Sequence, residues 1–181
     1  DAEYNNIYYI DTVLTFNNEW FAVYQIVQTS PTVSDIYEVG TWEWRFRVLG
    51  GVSFSRNYPL VIANNYEDYS YVSLVDTSTG MVIDSVFGGM YFGQDNILYR
   101  REAITYDFRY VQVIDLSNME VLANVAGGII NVTLHGNILQ VNYPGLFSKT
   151  KFPDIVTGEL LFEIEGWADI LDTNNDLVLL G

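Results

Sequence analysis

Tyr71-Val72-Ser73-Leu74-Val75-Asp76 is followed 39 residues later by Tyr110-Val111-Gln112-Val113-Ile114-Asp115, and Asp154 stands 39 residues further on. A constant stride of this length marks a repeat architecture. Glycine pairs keep the same stride: Gly50-Gly51, Gly88-Gly89 and Gly127-Gly128 are 38 and 39 residues apart, and Glu165-Gly166 lies 38 beyond the last. Polar turn clusters at 17–19, 55–58, 94–96, 135–137 and 174–176 supply a third marker.

Between the markers the apolar residues alternate with period two, are rich in β-branched and aromatic types, and never hold a helical stripe through several turns. Trp42-Glu43-Trp44-Arg45-Phe46-Arg47-Val48 is the plainest strand: alternation predicts Trp42, Trp44, Phe46 and Val48 on a buried face, with Glu43, Arg45 and Arg47 opposite. The third full repeat resolves into four strands, 90–92, 97–101, 110–115 and 121–125. Four short antiparallel strands in each repeat of roughly 40 residues form the blade of a β-propeller. The predicted fold is therefore all-β, a propeller of four-stranded antiparallel blades at about 9–49, 50–88, 89–127 and 128–166, with a half blade at 167–181.

The hairpin joining third and fourth strands carries clear local chemistry. Asp76-Thr77-Ser78-Thr79-Gly80 places an Asx-turn acceptor at its start and a residue suited to positive φ at its end, and Asp154-Ile155-Val156-Thr157-Gly158 repeats it. In Asp115-Leu116-Ser117-Asn118-Met119 the glycine is missing and Asn118 is the expected left-handed substitute. In the first copy Gly40 remains, and Tyr37 stands where the aspartate is expected.

The run from Val72 to Gly89, a short β segment, Asp, a small polar turn, Gly and a second β segment ending in Gly-Gly, resembles the YVTN-type propeller repeat, as does 111–128. It is also similar to the broader quinoprotein-like and WD40-like groups, though neither the Trp-Asp nor the Gly-His dipeptide of WD40 blades occurs. The resemblance spans about residues 9 to 181 and implies a fold. Such blades serve surface binders, scaffolds and enzymes alike, so it implies no single activity.

Composition narrows the partners. The 181 residues carry 8 Lys+Arg against 23 Asp+Glu, a net charge of −15, which repels nucleic-acid phosphates and anionic membranes. The longest apolar runs are far short of the roughly 20 residues of a membrane helix, so no membrane insertion is expected. There is no cysteine and a single histidine, His135, expected in a surface turn, which leaves neither a thiolate metal site nor a Ser-His-Asp system. Asp172, Asn174 and Asp176 alternate as in a calcium loop, but Leu177 occupies the glycine position, and a hairpin turn is expected. No catalytic residue, metal or cofactor is expected. Asn131-Val132-Thr133 is a glycosylation sequon on an inner strand, a poor setting for a glycan.

The distinctive material lies between second and third strands, near 28–35, 64–70, 100–109 and 143–150. Loops of this kind on a rigid scaffold carry binding, and Tyr and Arg are favoured in binding hot spots. Tyr66, Glu67, Asp68, Tyr69, Arg100, Arg101 and Tyr106 are the candidate binding residues, whereas Tyr71 and Tyr110, one period apart, are expected to pack between blades. The expected function is a non-catalytic binding or scaffolding module for a protein or other macromolecular partner. Two alternatives stand beside it: an extracellular propeller hydrolase or lactonase-like enzyme, and a self-assembling surface or filament component. The half blade is expected to be completed by further blades or a second subunit, and an extracellular setting fits slightly better than a cytoplasmic one.

Overall fold

The hairpin that repeats in the sequence is also the unit from which the sheets are built. The computed structural model describes residues 19–25, 32–64, 71–94, 96–104, 109–127, 131–144, 148–170 and 179–180, and all regular structure among them is antiparallel β-sheet. No helix among them is long and apolar enough to cross a membrane. Two compact units, Asp1–Phe92 and Gly93–Gly181, divide the chain.

In the first unit, β1 (Trp20–Gln25), β2 (Val33–Glu38) and β3 (Trp44–Leu49) form one sheet in chain order. A second ladder runs through β4 (Gly51–Phe54), β5 (Leu60–Asn64), β6 (Tyr71–Asp76) and β7 (Val82–Phe92). Trp20, Ala22 and Ile36 pack against Val52, Val61, Ala63 and Val75, with Phe46 and Val48 at the margin, so the core of this unit lies between two sheet faces. β7 continues through Gly88-Gly89 without a break. Met90–Phe92, expected as a separate first strand of the next repeat, is therefore the end of β7.

The second unit contains β8 (Ile97–Ala103), β9 (Arg109–Asp115) and β10 (Glu120–Gly127), hydrogen-bonded in that order. The four-stranded sheet β11 (Asn131–His135), β12 (Ile138–Tyr143), β13 (Lys149–Pro153) and β14 (Leu160–Glu165) follows, then the pair β15 (Asp169–Ile170) and β16 (Leu179–Leu180). Ile97, Tyr99, Val111 and Val113 pack on Val132, Leu139 and Val141. Phe152, fully buried, stacks on Phe162 at 4.4 Å and meets Ala168.

Four modules repeat three backbone features at the stride of the sequence. First, the N–H groups of Val39, Thr77, Leu116 and Ile155 donate to the carbonyls of Glu19, Pro59, Asn96 and Asn137, at 2.7–2.9 Å. Second, a left-handed residue closes each hairpin: Trp42 (φ 61°), Gly80 (φ 71°), Met119 (φ 60°) and Gly158 (φ 73°). Third, the register slips by one residue just beyond, so that Arg45, Ile83, Leu122 and Leu161 are bulged out of their ladders. Each hairpin is thus a four-residue loop whose last residue is left-handed, a common connection length, and the bulge beyond it strengthens the strand's twist.

This geometry corrects two expectations. In the third repeat Met119, not Asn118, takes the left-handed conformation, while the Asn118 side-chain oxygen accepts the Glu120 N–H at 2.9 Å. In the first repeat the equivalent of Asp76 is Glu38 rather than Tyr37. Glu38 N–H donates to Glu43 O at 3.1 Å and Trp42 N–H to Glu38 O at 3.0 Å, as Asp76 N–H does to Met81 O and Gly80 N–H to Asp76 O. Trp42, not Gly40, then occupies the closing position.

Candidate binding surfaces

Asp76 and Asp154 build their turns in the same way. Asp76 Oδ1 accepts the N–H groups of Ser78 and Thr79 at 2.8 and 3.0 Å, and Asp154 Oδ1 those of Val156 and Thr157 at 2.7 and 2.9 Å. The Ser78 hydroxyl and these N–H groups hold the Asp76 carboxyl below the ordinary carboxylate range. These aspartates hold turns, and their recurrence follows from the turns.

Of the candidate binding residues, Tyr66, Glu67, Asp68, Tyr69 and Tyr106 lie outside the described residues. Arg100 and Arg101, at the overlap of the expected strand 97–101 and the expected connection 100–109, are strand residues of β8, opposite Gln112 and Val111. The Arg100 guanidinium donates to Gln112 Oε1 at 3.3 Å and lies 3.6 Å from Glu102 Oε2. Gln112 in turn donates to Asn124 Oδ1 at 3.2 Å, which also accepts the Tyr110 hydroxyl at 2.5 Å. Arg100, Gln112 and Asn124 therefore form a polar ladder across β8, β9 and β10. Tyr71 departs from its expected packing: it is 53% exposed and meets its cross-strand partner Phe87 edge-on at 5.6 Å. His135 closes β11 beside the Gly136-Asn137 turn.

The chain's two lysines share one face of the last four-stranded sheet. Lys149 and Lys151 place their ammonium groups 5.9 and 5.7 Å from the centre of the Tyr143 ring and 3.4 and 3.3 Å from Glu163. Lys151, then Lys149, holds the Glu163 carboxyl low, and burial pushes the Tyr143 hydroxyl up. Among the described residues no group of three or more His, Cys, Asp or Glu could hold a metal ion.

A second surface arises where alternation breaks in the first module. The bulge at Arg45 ends the alternation of the 42–48 segment, so Trp44 pairs with Tyr37 while Phe46 pairs with Ile36. Trp44 consequently shares a face with Tyr37, Asp35 and Arg47, opposite the face on which Phe46 and Val48 meet the core. Asp35 is buried and accepts three charge-assisted or indole bonds: Arg47 Nε and Nη2 at 2.8 Å each, and Trp44 Nε1 at 3.0 Å. Arg47 foremost, helped by Trp44 against the opposing effect of burial, holds the Asp35 carboxyl below its ordinary range. Phe21 stacks on Tyr37 at 5.2 Å and takes Trp42 edge-on at 5.1 Å. Trp42 and Trp44 remain 73% and 56% exposed, rather than buried as alternation predicts. The apolar doublets Val82-Ile83, Val121-Leu122 and Leu160-Leu161, which straddle the other bulges, were the available signal for this break.

No family model matches the chain, and no curated protein matches it. Among solved structures it is similar to a chain of the mitotic checkpoint complex, at 14% identity over 84% of this chain and 52% of that one, with a TM-score of 0.49. It is also similar to the computationally designed Ika8 protein, at 18% identity over 88% and 52%, with a TM-score of 0.48. A third similarity is to dihydro-heme d1 dehydrogenase NirN, at 10% identity over 84% of this chain and 37% of that one, with a TM-score of 0.52. The chain thus spans about half the length of the first two and little more than a third of NirN. At these identities the likeness concerns fold alone, and that fold is propeller-like.

Proposed function

We propose that the chain is a stretch of β-propeller built from YVTN-like, four-stranded blades, about four and a half of them, and that it is a non-catalytic module recognising a protein or other macromolecular partner. One observation carries this reading: the contrast between the two ends of the modules. At one end all four hairpins share the same turn, backbone bond and bulge. The connections following the second strands, 26–32, 65–70, 104–108 and 144–148, differ in length and chemistry. A uniform scaffold carrying unlike loops suits one specific partner better than a repeated ligand. Tyr66, Glu67, Asp68, Tyr69 and Tyr106 fall within those connections, with Arg101 near the end of β8; Arg100 supports the strand beneath.

The test compares wild type with the combined Tyr66→Ala, Tyr69→Ala, Arg100→Ala and Arg101→Ala variant, each immobilised and exposed to lysate, with captured proteins identified by mass spectrometry. Proteins retained by wild type and lost by a variant that still unfolds cooperatively support the loop surface. Identical capture by both discards it.

A further inference from the structure

We infer that the connection end of the second unit binds an acidic peptide segment of the partner, held by Lys149, Lys151 and Arg109 beside the Tyr143 ring. The inference rests on the reading of these connections as a binding surface, and names the chemistry that this part of the surface takes. Charge in the second unit is sorted by position. Its five basic residues, Arg100, Arg101, Arg109, Lys149 and Lys151, all stand in β8, β9 and β13 next to the connections 104–108 and 144–148. Asp115, Glu120, Asp154 and Glu159 flank the hairpins at the opposite end. Only three further Lys or Arg serve a chain with 23 acids, so this end is a positive island on a negative molecule.

Four of the five basic residues line one groove. Tyr99 and Val111 of one sheet pack on Val132 and Val141 of the next, and strand alternation carries Arg101 and Arg109 onto the face of Tyr99 and Val111. Lys151 stands opposite Val141 in its ladder, and Tyr143 and Lys149 continue that face, so the lysines line the second wall. Gly127, directly opposite Arg109, brings the walls together: a Cβ added there would stand 3.6 Å from Tyr143 Cε1. Both walls belong to this unit, so the space at the groove's mouth is not one that a further blade fills.

Charge selects the occupant. Among the described residues this end of the groove holds four cations against two carboxylates, Glu163 and Glu165, which stand opposite Lys151 and Lys149 in the ladder. Glu102 is on the other strand face with Arg100, and counting Asp107 of the connection still leaves the cations in excess. Glu163 is shared by the ammonium groups of Lys149 and Lys151 at 3.4 and 3.3 Å, longer than the roughly 2.7–2.9 Å of a tight charge-assisted bond. Each ammonium carries three donors, so a second carboxylate can join the first on the same pair. Tyr143 offers its ring to the methylene groups behind that carboxylate. Long phosphate polymers would run off the island onto acidic surface, whereas a short acidic segment stays within it.

Fluorescence anisotropy of a labelled hexaglutamate peptide, titrated with the full chain at low ionic strength, tests the site. Saturable binding is expected, weakened by added salt and by about tenfold in Lys149→Gln/Lys151→Gln. Lys149→Arg/Lys151→Arg should keep it, since the charges remain. Glu163→Gln should strengthen it severalfold by removing the carboxylate that competes for both ammonium groups, a gain that misfolding cannot produce. No saturable response overturns the inference, as does binding left unchanged by Lys149→Gln/Lys151→Gln or unimproved by Glu163→Gln. A response to oligouridylate through the same lysines, with none to hexaglutamate, overturns it in favour of a phosphate polymer. If hexaglutamate binds as expected while Tyr66→Ala/Tyr69→Ala captures the same lysate proteins as wild type, the basic groove stands and the tyrosine loops fall. If capture depends on those tyrosines and hexaglutamate does not bind, the loops stand and the groove falls.

Discussion

Met119 and Gly158 hold the same place in successive hairpins, and both carry a left-handed backbone, at φ 60° and 73°. The methionine therefore bears a steric penalty that the glycine escapes, of roughly 1–2 kcal/mol for an L-residue in this region. Met119 is largely exposed, so little packing opposes its replacement. Met119→Gly should stabilise the protein by about 0.5–1 kcal/mol, the gain being trimmed by glycine's greater freedom in the unfolded chain. Gly158→Ala is the mirror experiment. No atom lies within 4 Å of the added Cβ, so its cost of about 1 kcal/mol would come from backbone alone. Urea unfolding of both variants checks the pair, and equal midpoints for wild type and Met119→Gly would contradict it.

The Asp turns make a second prediction. Asp154→Ala removes the acceptor of the Val156 and Thr157 N–H groups in an exposed hairpin where water replaces part of what is lost. A loss of about 1 kcal/mol is expected, in line with other side-chain caps on backbone N–H groups. Asp154→Asn, which keeps the accepting oxygen, should recover most of it in thermal unfolding.

The stride, the all-β class and the Asp-to-Gly hairpins were legible because each rests on a local rule: period-two alternation, Asx acceptors and glycine's tolerance of positive φ. The aromatic face of the first module was not legible, because a bulge shifts Trp44 to the opposite face from the one that alternation assigns. Position 119 differs from the local expectation for a related reason. Asn is the better left-handed residue in isolation, but the hairpin register places position 119, not 118, at the closing corner. Arg100 and Arg101 stand where the expected strand 97–101 and the expected connection 100–109 overlap, and cross-strand partners Gln112 and Val111 keep them in β8. In each case pairing across strands overrode what neighbours along the chain suggested.

Asp35 and Arg47 set a pH dependence. The folded-state carboxyl titrates below its ordinary value of 3.8, so this pair contributes in full above about pH 4. That contribution disappears as the pH falls through the lowered folded value, where the native carboxylate takes its proton. Asp35→Asn cannot lose it, so the stability difference between wild type and this variant should shrink on acidification from pH 6 to pH 3. Arg47→Met leaves the buried carboxylate with only the Trp44 N–H among the partners named above. It should cost about 2 kcal/mol at pH 7, less than for a fully buried pair because Arg47 is half exposed. A stability gap between wild type and Asp35→Asn that stays constant with pH would sink the assignment.

Tyr99 ties two neighbouring sheets of the second unit together. Its hydroxyl accepts the Leu134 N–H at 2.5 Å, across 35 residues of sequence, while its ring lies in the core with Val132, Leu139 and Val141. Tyr99→Phe keeps the ring but leaves the Leu134 N–H without this acceptor, for an expected loss of about 1–2 kcal/mol and faster hydrogen exchange at Leu134. Gly93 bears on the same ring from outside the core. A Cβ added there would stand 2.5 Å from Tyr99 Cε2, too close for the ring to stay where the hydroxyl needs it. Gly93→Ala should therefore both destabilise the protein and release Leu134. Because the two substitutions act through one ring, their effects should not add: the Gly93→Ala cost measured in a Tyr99→Ala background should fall to a few tenths of a kcal/mol. Full additivity in that double-mutant cycle would show that Gly93 is needed for its backbone rather than for the space it leaves to Tyr99.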